Sequence, residues 1–233
     1  MDIKYTLSLL GDCISGIPVT LFISVGGMVC AIAVAALLSV VRRLKIPILT
    51  QIIDFYLLLM RSIPQVVLLF VVFYGLPAMI NTARQSRGLP PQMNMLPEIY
   101  LVIIAFALSL SATVYHNFQS ALLSVDSSQW EAAYSVGMTG RQAFMRIILP
   151  QSFAALVRPL GNTLIIAIKA SSISFIVSCR DIMGAAKIAG TPGFHFIEVY
   201  VGAALVYWCL ATILSRLVVA VEHRTTRYIR AII

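Results

Sequence analysis

Two cations, Arg61 and Lys169, sit inside otherwise apolar stretches. An ionisable side chain at mid-bilayer costs roughly 2.5–3.5 kcal/mol even on a lenient insertion scale, so it usually faces a bundle interior or a water-filled cavity. A guanidinium presents a bidentate fork to a carboxylate. The chemistry open to this pair is therefore recognition of a carboxylate-bearing solute. Each also has a structural alternative. Arg61 could be tied to helix carbonyls freed by Pro64, and Lys169 could pair with Asp54 or with a second subunit. Asn162, Ser171 and Ser172 flank Lys169 and could bind a ligand or glue helices together. His116 and Gln119, with Ser109, Ser111, Thr113 and Asn117, make a further apolar run polar on its inner half. That run suits the wall of a path, or a packed interface. There is no G-x4-G-K-[ST] loop to cradle a nucleotide, no Cys/His cluster spaced for a metal, and no nucleophile–base constellation. The chain therefore reads as a non-enzyme without a metal of its own.

The elements that must hold these residues are set by composition. Of 233 residues, 60% are hydrophobic and 11% are charged, with mean hydropathy +0.93. Soluble domains carry about 25% charged residues. The chain is thus an all-α membrane protein with lipid as solvent, and its excess of 17 Lys and Arg over 9 Asp and Glu is a matter of topology rather than of nucleic-acid binding. The four cysteines show no disulfide framework, and residues 1–12 do not read as a cleavable signal.

A span of about 20 apolar residues crosses a bilayer. Five such runs are expected in one transmembrane domain of residues 1–233, at about 17–41, 51–76, 97–119, 160–179 and 196–221. Gly16-Ile17-Pro18 marks the first start, Pro77 the end of the second span, and residues 77–97 a loop. Rises of 1.5 Å per residue, taken from Gln51 and Arg158, put Arg61 about 15 Å and Lys169 about 16 Å along their helices, at similar depth.

Five spans put the termini on opposite sides. Arg42, Arg43, Lys45, Arg141, Arg146, Arg158, Arg216, Arg224, Arg227 and Arg230 share one side, against Lys4, Arg84, Arg87, Arg180 and Lys187 on the other. The richer side is cytoplasmic, so the amino terminus is expected outside and the carboxyl terminus inside.

On that cytoplasmic side lies the longest polar interlude, residues 127–150. Ser128 with Glu131, and Thr139 with Gln142, have capping-box spacing. Gly137 between them suits a left-handed helix end. The stretch reads as a short helix, a glycine turn and a second short helix stopped at Pro150. Ala132 and Ala133 leave one helix face nearly bare.

The spacing Glu131-Ala132-Ala133-x3-Gly137-x9-Ile147-x-Leu149-Pro150 resembles the EAA loop of ABC-importer permease subunits, with Gln129-Trp130 ahead of it as in polar amino-acid permeases of the histidine/glutamine type. The likeness extends to Arg61-Ser62-Ile63-Pro64-Gln65 against R-G-T-P, Tyr74-Gly75-Leu76-Pro77 against Y-G-L-P, and Asn162, Lys169, Ser171 and Ser172 against N-x6-K-x-[ST]-S. One departure stands out. The third-span Glu and Arg of that family fall here on His116 and Gln119.

The resemblance implies a type I ABC-importer permease fold, in which Trp130, Glu131, Ala132, Ala133, Gly137, Ile147, Leu149 and Pro150 form a coupling helix seated in an ATPase subunit. It implies two ATPase subunits holding ATP and Mg2+, a second permease subunit (identical or sister), an external solute-binding protein and an amino-acid substrate at a bacterial inner membrane. Arg61, His116, Gln119, Asn162, Lys169, Ser171 and Ser172 are the candidates for its substrate path. Two other readings remain open: an ATP-independent secondary transporter, and a purely structural half of a heteromeric permease.

Overall fold

The computed structural model describes residues 10–92, 96–192 and 195–232, with side chains to residue 226. Lys4 and the 1–12 signal reading in large part, Gly193 and Phe194, and the side chains of Arg227 and Arg230 lie outside the described residues. The described residues contain no strand, and the all-α expectation holds. Among the described residues, five helices are long and apolar enough to cross a membrane: Leu10–Arg42, Gln65–Gln85, Glu98–Leu123, Gly140–Val177 and Phe196–Thr226.

The bundle is built around α5 (Glu98–Leu123), the most buried of the five. It packs along α1 (Ile17–Arg42), with Ile23 and Phe106 fully buried between them. Gly27 makes that closeness possible, because a Cβ there would stand 2.8 Å from the Phe106 Cβ. A second, smaller core joins Cys13, Ile182, Ala186, Val199 and Ala203, from the start of the first span, α9 (Ile182–Gly190) and α10 (Phe196–Ile232). Helix α10 carries the apolar window least buried by its neighbours. It continues through Glu222-His223-Arg224, where a polar tail is expected from the sequence.

Three expectations change. The 51–76 segment is not one rod. Helix α2 (Pro47–Ser62) ends at Ile63, whose φ of −80° and ψ of 127° are extended, because the ring of Pro64 excludes the helical region for the residue before it. Membrane-length helix resumes as α3 (Gln65–Phe70), passes through a π turn at Val71–Gly75 and continues as α4 (Leu76–Gln85). Thus Pro77 does not end the helix, and much of the expected 77–97 loop is helical. Likewise Pro150 does not stop a short helix. It falls in the first turn of α8 (Leu149–Ala170), directly after a π turn at Phe144–Ile148. Both prolines stand two residues past a π turn. A widened turn bonds each N–H one residue further back, as Leu149 N–H does to Phe144 C=O, which re-routes the ladder where proline has no N–H to give.

The third change concerns depth. Arg61 lies in the last turn of α2, and Lys169 in the last turn of α8. Asn117 Nδ2 donates to Thr163 Oγ1 at 3.0 Å, which sets antiparallel α5 and α8 level there. Lys169 is six residues beyond Thr163, about 9 Å nearer the Glu98 end of α5. Arg61 instead meets His116. The two cations do not share a level, since distances counted from two different helix starts have no common origin.

Candidate functional site

The 127–150 elbow builds itself from local rules. Helix α6 (Ser128–Ser135) is not closed by Ser128 with Glu131, because Ser128 is already helical. Asp126 takes that role, its Oδ1 accepting the Ser128 N–H at 2.8 Å, and the Ser128 hydroxyl and N–H hold the Asp126 carboxyl below the usual range. At the other end Gly137 has φ +78°. Its N–H bonds Tyr134 C=O, and Met138 N–H bonds Ala133 C=O. This is the paired Schellman closure that a left-handed residue permits. Thr139 then opens α7 (Gly140–Ala143) with a complete capping box: Thr139 Oγ1 accepts Gln142 N–H at 3.3 Å and Gln142 Oε1 accepts Thr139 N–H at 2.9 Å.

The elbow is fastened to the bundle through aromatic contacts. Trp130 stacks on Phe144 with ring centres 6.4 Å apart. The Arg43 guanidinium, at the end of α1, lies 4.6 Å from the Phe144 centre. Ala133, Ala143 and Ile148 are buried. Of the motif positions, Glu131, Ala132, Gly137, Leu149 and Pro150 face outward, Trp130 and Ile147 are half-buried, and Ala133 packs inward. Val136 is 71% exposed, with Tyr134 and Met145 each at 52%. These apolar side chains stay open to the surroundings on an otherwise polar elbow.

A cleft of about 720 Å³ opens between α2 and α5. Arg42, Asp54, Arg61, Tyr115, His116 and Gln119 line it. Arg42 Nη1 pairs with Asp54 Oδ1, and its guanidinium lies 6.0 Å from the Tyr115 ring centre. Arg61 Nη1 stands 3.2 Å from His116 Nε2. A guanidinium has donors only, so Nε2 accepts and the imidazole keeps its proton on Nδ1 in this arrangement. Behind the wall Tyr56 and Ser111 hydroxyls are 2.7 Å apart, and Ser111 Oγ donates to Leu108 C=O at 2.8 Å.

The structure therefore gathers Arg61, His116 and Gln119. Asn162, Lys169, Ser171 and Ser172 do not line that cleft. Ser171 is buried and donates to Ile168 C=O, and Ser172 donates to Lys169 C=O. Both hydroxyls thus satisfy their own helix. Of the structural alternatives, Asp54 pairs with Arg42 rather than with Lys169, and Arg61 contacts His116. Arg42 and Asp54 were missed as lining groups. Sequence reading used Arg42 only for orientation, although a cation ending one helix and a carboxylate two turns into the next were a usable signal.

Asp181 was missed altogether. It is fully buried at the start of α9. Its Oδ1 accepts Gly184 N–H at 2.8 Å and its Oδ2 accepts the Tyr207 hydroxyl at 2.9 Å. Burial pushes this carboxyl above the ordinary range, with the hydrogen bonds opposing. It locks α9 to α10.

Known proteins share this sequence pattern and this fold. The family described as "Binding-protein-dependent transport system inner membrane component" matches residues 27–227. The chain is 33% identical over 215 residues to the probable amino-acid permease protein YxeN of Bacillus subtilis (strain 168), covering 92% of each. It is 30% identical over 230 residues to the probable amino-acid ABC transporter permease protein PatM of Vibrio harveyi, covering 98% of this chain and 99% of that one. Among solved structures, an amino acid ABC transporter with histidines superposes with a TM-score of 0.82 at 23% identity, over 96% of this chain and 99% of that one. With the match spanning residues 27–227 and the same fold in a solved ABC transporter, the chain belongs to the binding-protein-dependent transport system inner membrane components, the multi-pass permease subunits of ABC transporters.

Proposed function

We propose that this chain forms the translocation path of an amino-acid importer and couples it to ATP hydrolysis in a separate subunit. Relatives named as amino-acid permeases along almost the whole chain support the solute class. The observation that carries the coupling role is the elbow, whose EAA-type residues present Glu131, Ala132 and exposed Val136 outward while Trp130, Phe144 and Arg43 fasten it to α1. The working unit is two permease subunits, identical or paired with a sister, with two ATPase subunits and an external solute-binding protein. ATP and Mg2+ belong to the ATPase, and this chain performs no bond-making chemistry. It lies in the bacterial inner membrane with the elbow and carboxyl terminus cytoplasmic and the amino terminus outside, which the crowding of Arg42, Arg43 and Arg141 at one end supports.

Closure of the ATPase dimer drives the elbows together, and the bundle passes between outward- and inward-open states. Arg61, His116 and Gln119 face the solute in the cleft. Lys169 and Ser172 belong to the outer stretch of the path, Asn162 stands near the level of the Asn117–Thr163 contact, and buried Ser171 supports the wall. The test is Glu131→Lys in the complete complex reconstituted in proteoliposomes. The permease should still reach the membrane, while substrate-stimulated ATP hydrolysis and uptake fall together. Full stimulated hydrolysis in that variant would remove the coupling role, and uptake in liposomes lacking the ATPase would establish a secondary transporter instead.

A further inference from the structure

We propose that the α2–α5 cleft selects amino acids carrying one net negative charge, those with a second acidic group on the side chain. This rests on the reading of that cleft as the translocation path. The charges lining it are Arg42, Asp54, Arg61 and, when protonated, His116. Arg42 and Asp54 pair with each other, so together they are neutral. Arg61 faces His116 instead of a carboxylate, and Asp54 is the only acid among the described lining residues. The cleft holds one surplus positive charge.

Charge balance then ranks the solutes. A zwitterionic amino acid brings one carboxylate and one ammonium, and leaves the surplus standing. A cationic amino acid adds to it. A monoanionic one closes the balance: one carboxylate meets the Arg61 fork, the second group takes the remaining donors of the cleft, and the ammonium turns to Asp54, whose side chain is 53% exposed. Gln119 provides amide donors and an acceptor without altering that balance. A volume of about 720 Å³ accommodates a small acidic amino acid with its bound waters. The Nε2 of His116 accepts from Arg61 as the structure stands, so an entering carboxylate replaces a neutral acceptor with a charged one for every amino acid alike, and the ranking comes from the charge balance.

The experiment measures equilibrium binding to the purified permease–ATPase complex in phosphatidylcholine nanodiscs, with no anionic lipid present to compete. L-Glutamate and L-cysteate are compared with L-glutamine and L-arginine. Wild type should bind the two acids about tenfold or more tightly than glutamine, the size of one charge-assisted hydrogen bond, and arginine least. Arg61→Lys, which keeps the charge, should retain the order of preference, and Arg61→Gln should erase it. His116→Glu, which supplies the missing carboxylate beside Arg61, should move the preference to glutamine. Glutamine bound as tightly as glutamate, with both lost in Arg61→Gln, overturns the charge rule and leaves the path where it is. Binding of all four solutes unchanged in Arg61→Gln, or no saturable binding of any, overturns the cleft itself.

Discussion

The Arg43 guanidinium lies 4.6 Å from the centre of the Phe144 ring, which ties the last turn of the first membrane helix to the elbow that follows the third. Phe144 is in turn stacked under Trp130. A displacement of α6 therefore reaches α1 through ring contacts as well as through the chain, and α1 is the main neighbour of the buried α5.

Removing that ring should separate hydrolysis from transport. A cation–π contact of this kind contributes about 0.5–2 kcal/mol, too little to unfold a five-helix bundle. Phe144→Leu is expected to assemble with the ATPase and retain basal hydrolysis, with uptake reduced several-fold. Parallel uptake and phosphate-release assays on the same proteoliposomes check this. Equal losses in both would show that Phe144 serves the docking surface only.

Gly137 is the conformationally constrained point of the elbow. A Cβ there meets nothing within 4 Å, so space is not the difficulty. Its φ of +78° is, since an L residue in the left-handed region costs about 1–2 kcal/mol. Gly137→Asp should leave the protein in the membrane and lower the amount of ATPase that co-purifies with it. Gly137→Asn, which tolerates that region better, should be the milder variant.

The contact between α1 and α5 has no slack. Gly27→Val would drive a branched Cβ into Phe106 from 2.8 Å, and overpacking of this sort costs about 1–3 kcal/mol. Thermal denaturation in detergent should show a lowered midpoint for Gly27→Val. A smaller loss is expected for Gly26→Val, where the neighbour is the flexible end of Ile103 at 3.2 Å.

Asp181 makes stability depend on pH in a definite direction. Burial raises its carboxyl in the folded chain, so the native state holds the proton more tightly than the unfolded one. Its contribution is complete below the ordinary carboxylate range and declines as pH rises through the raised value. The Asp181→Asn variant, which keeps the shape and loses the titration, should flatten that decline. Melting curves of the two proteins across a pH series provide the comparison, and parallel slopes would remove Asp181 as the source.

The parts legible in the sequence were those fixed by near neighbours. Thr139 with Gln142, and Gly137 at its helix end, follow from spacing within one turn, and both are found as read. Ser128 failed because Asp126, two residues earlier, competes for the same N–H and wins. The break at Ile63 was hidden because an apolar window averages across it, though Pro64 stood in plain view. Prolines 77 and 150 were read as stops because a π turn leaves no signature in residue type. The Arg42–Asp54 pair and the placing of Arg61 against His116 depend on how α2 lies across α5, and packing between separate helices is not written in either one alone.

The wide turn at Phe144–Ile148 has a mechanical side. Because Pro150 has no N–H, the carbonyl of Arg146 four residues earlier is released from the ordinary ladder at the point where the elbow meets the fourth rod. The rod thus passes from elbow to span without a break in its helix, yet with a backbone acceptor left over at the seam, so that seam is the least tightly tied turn of the rod.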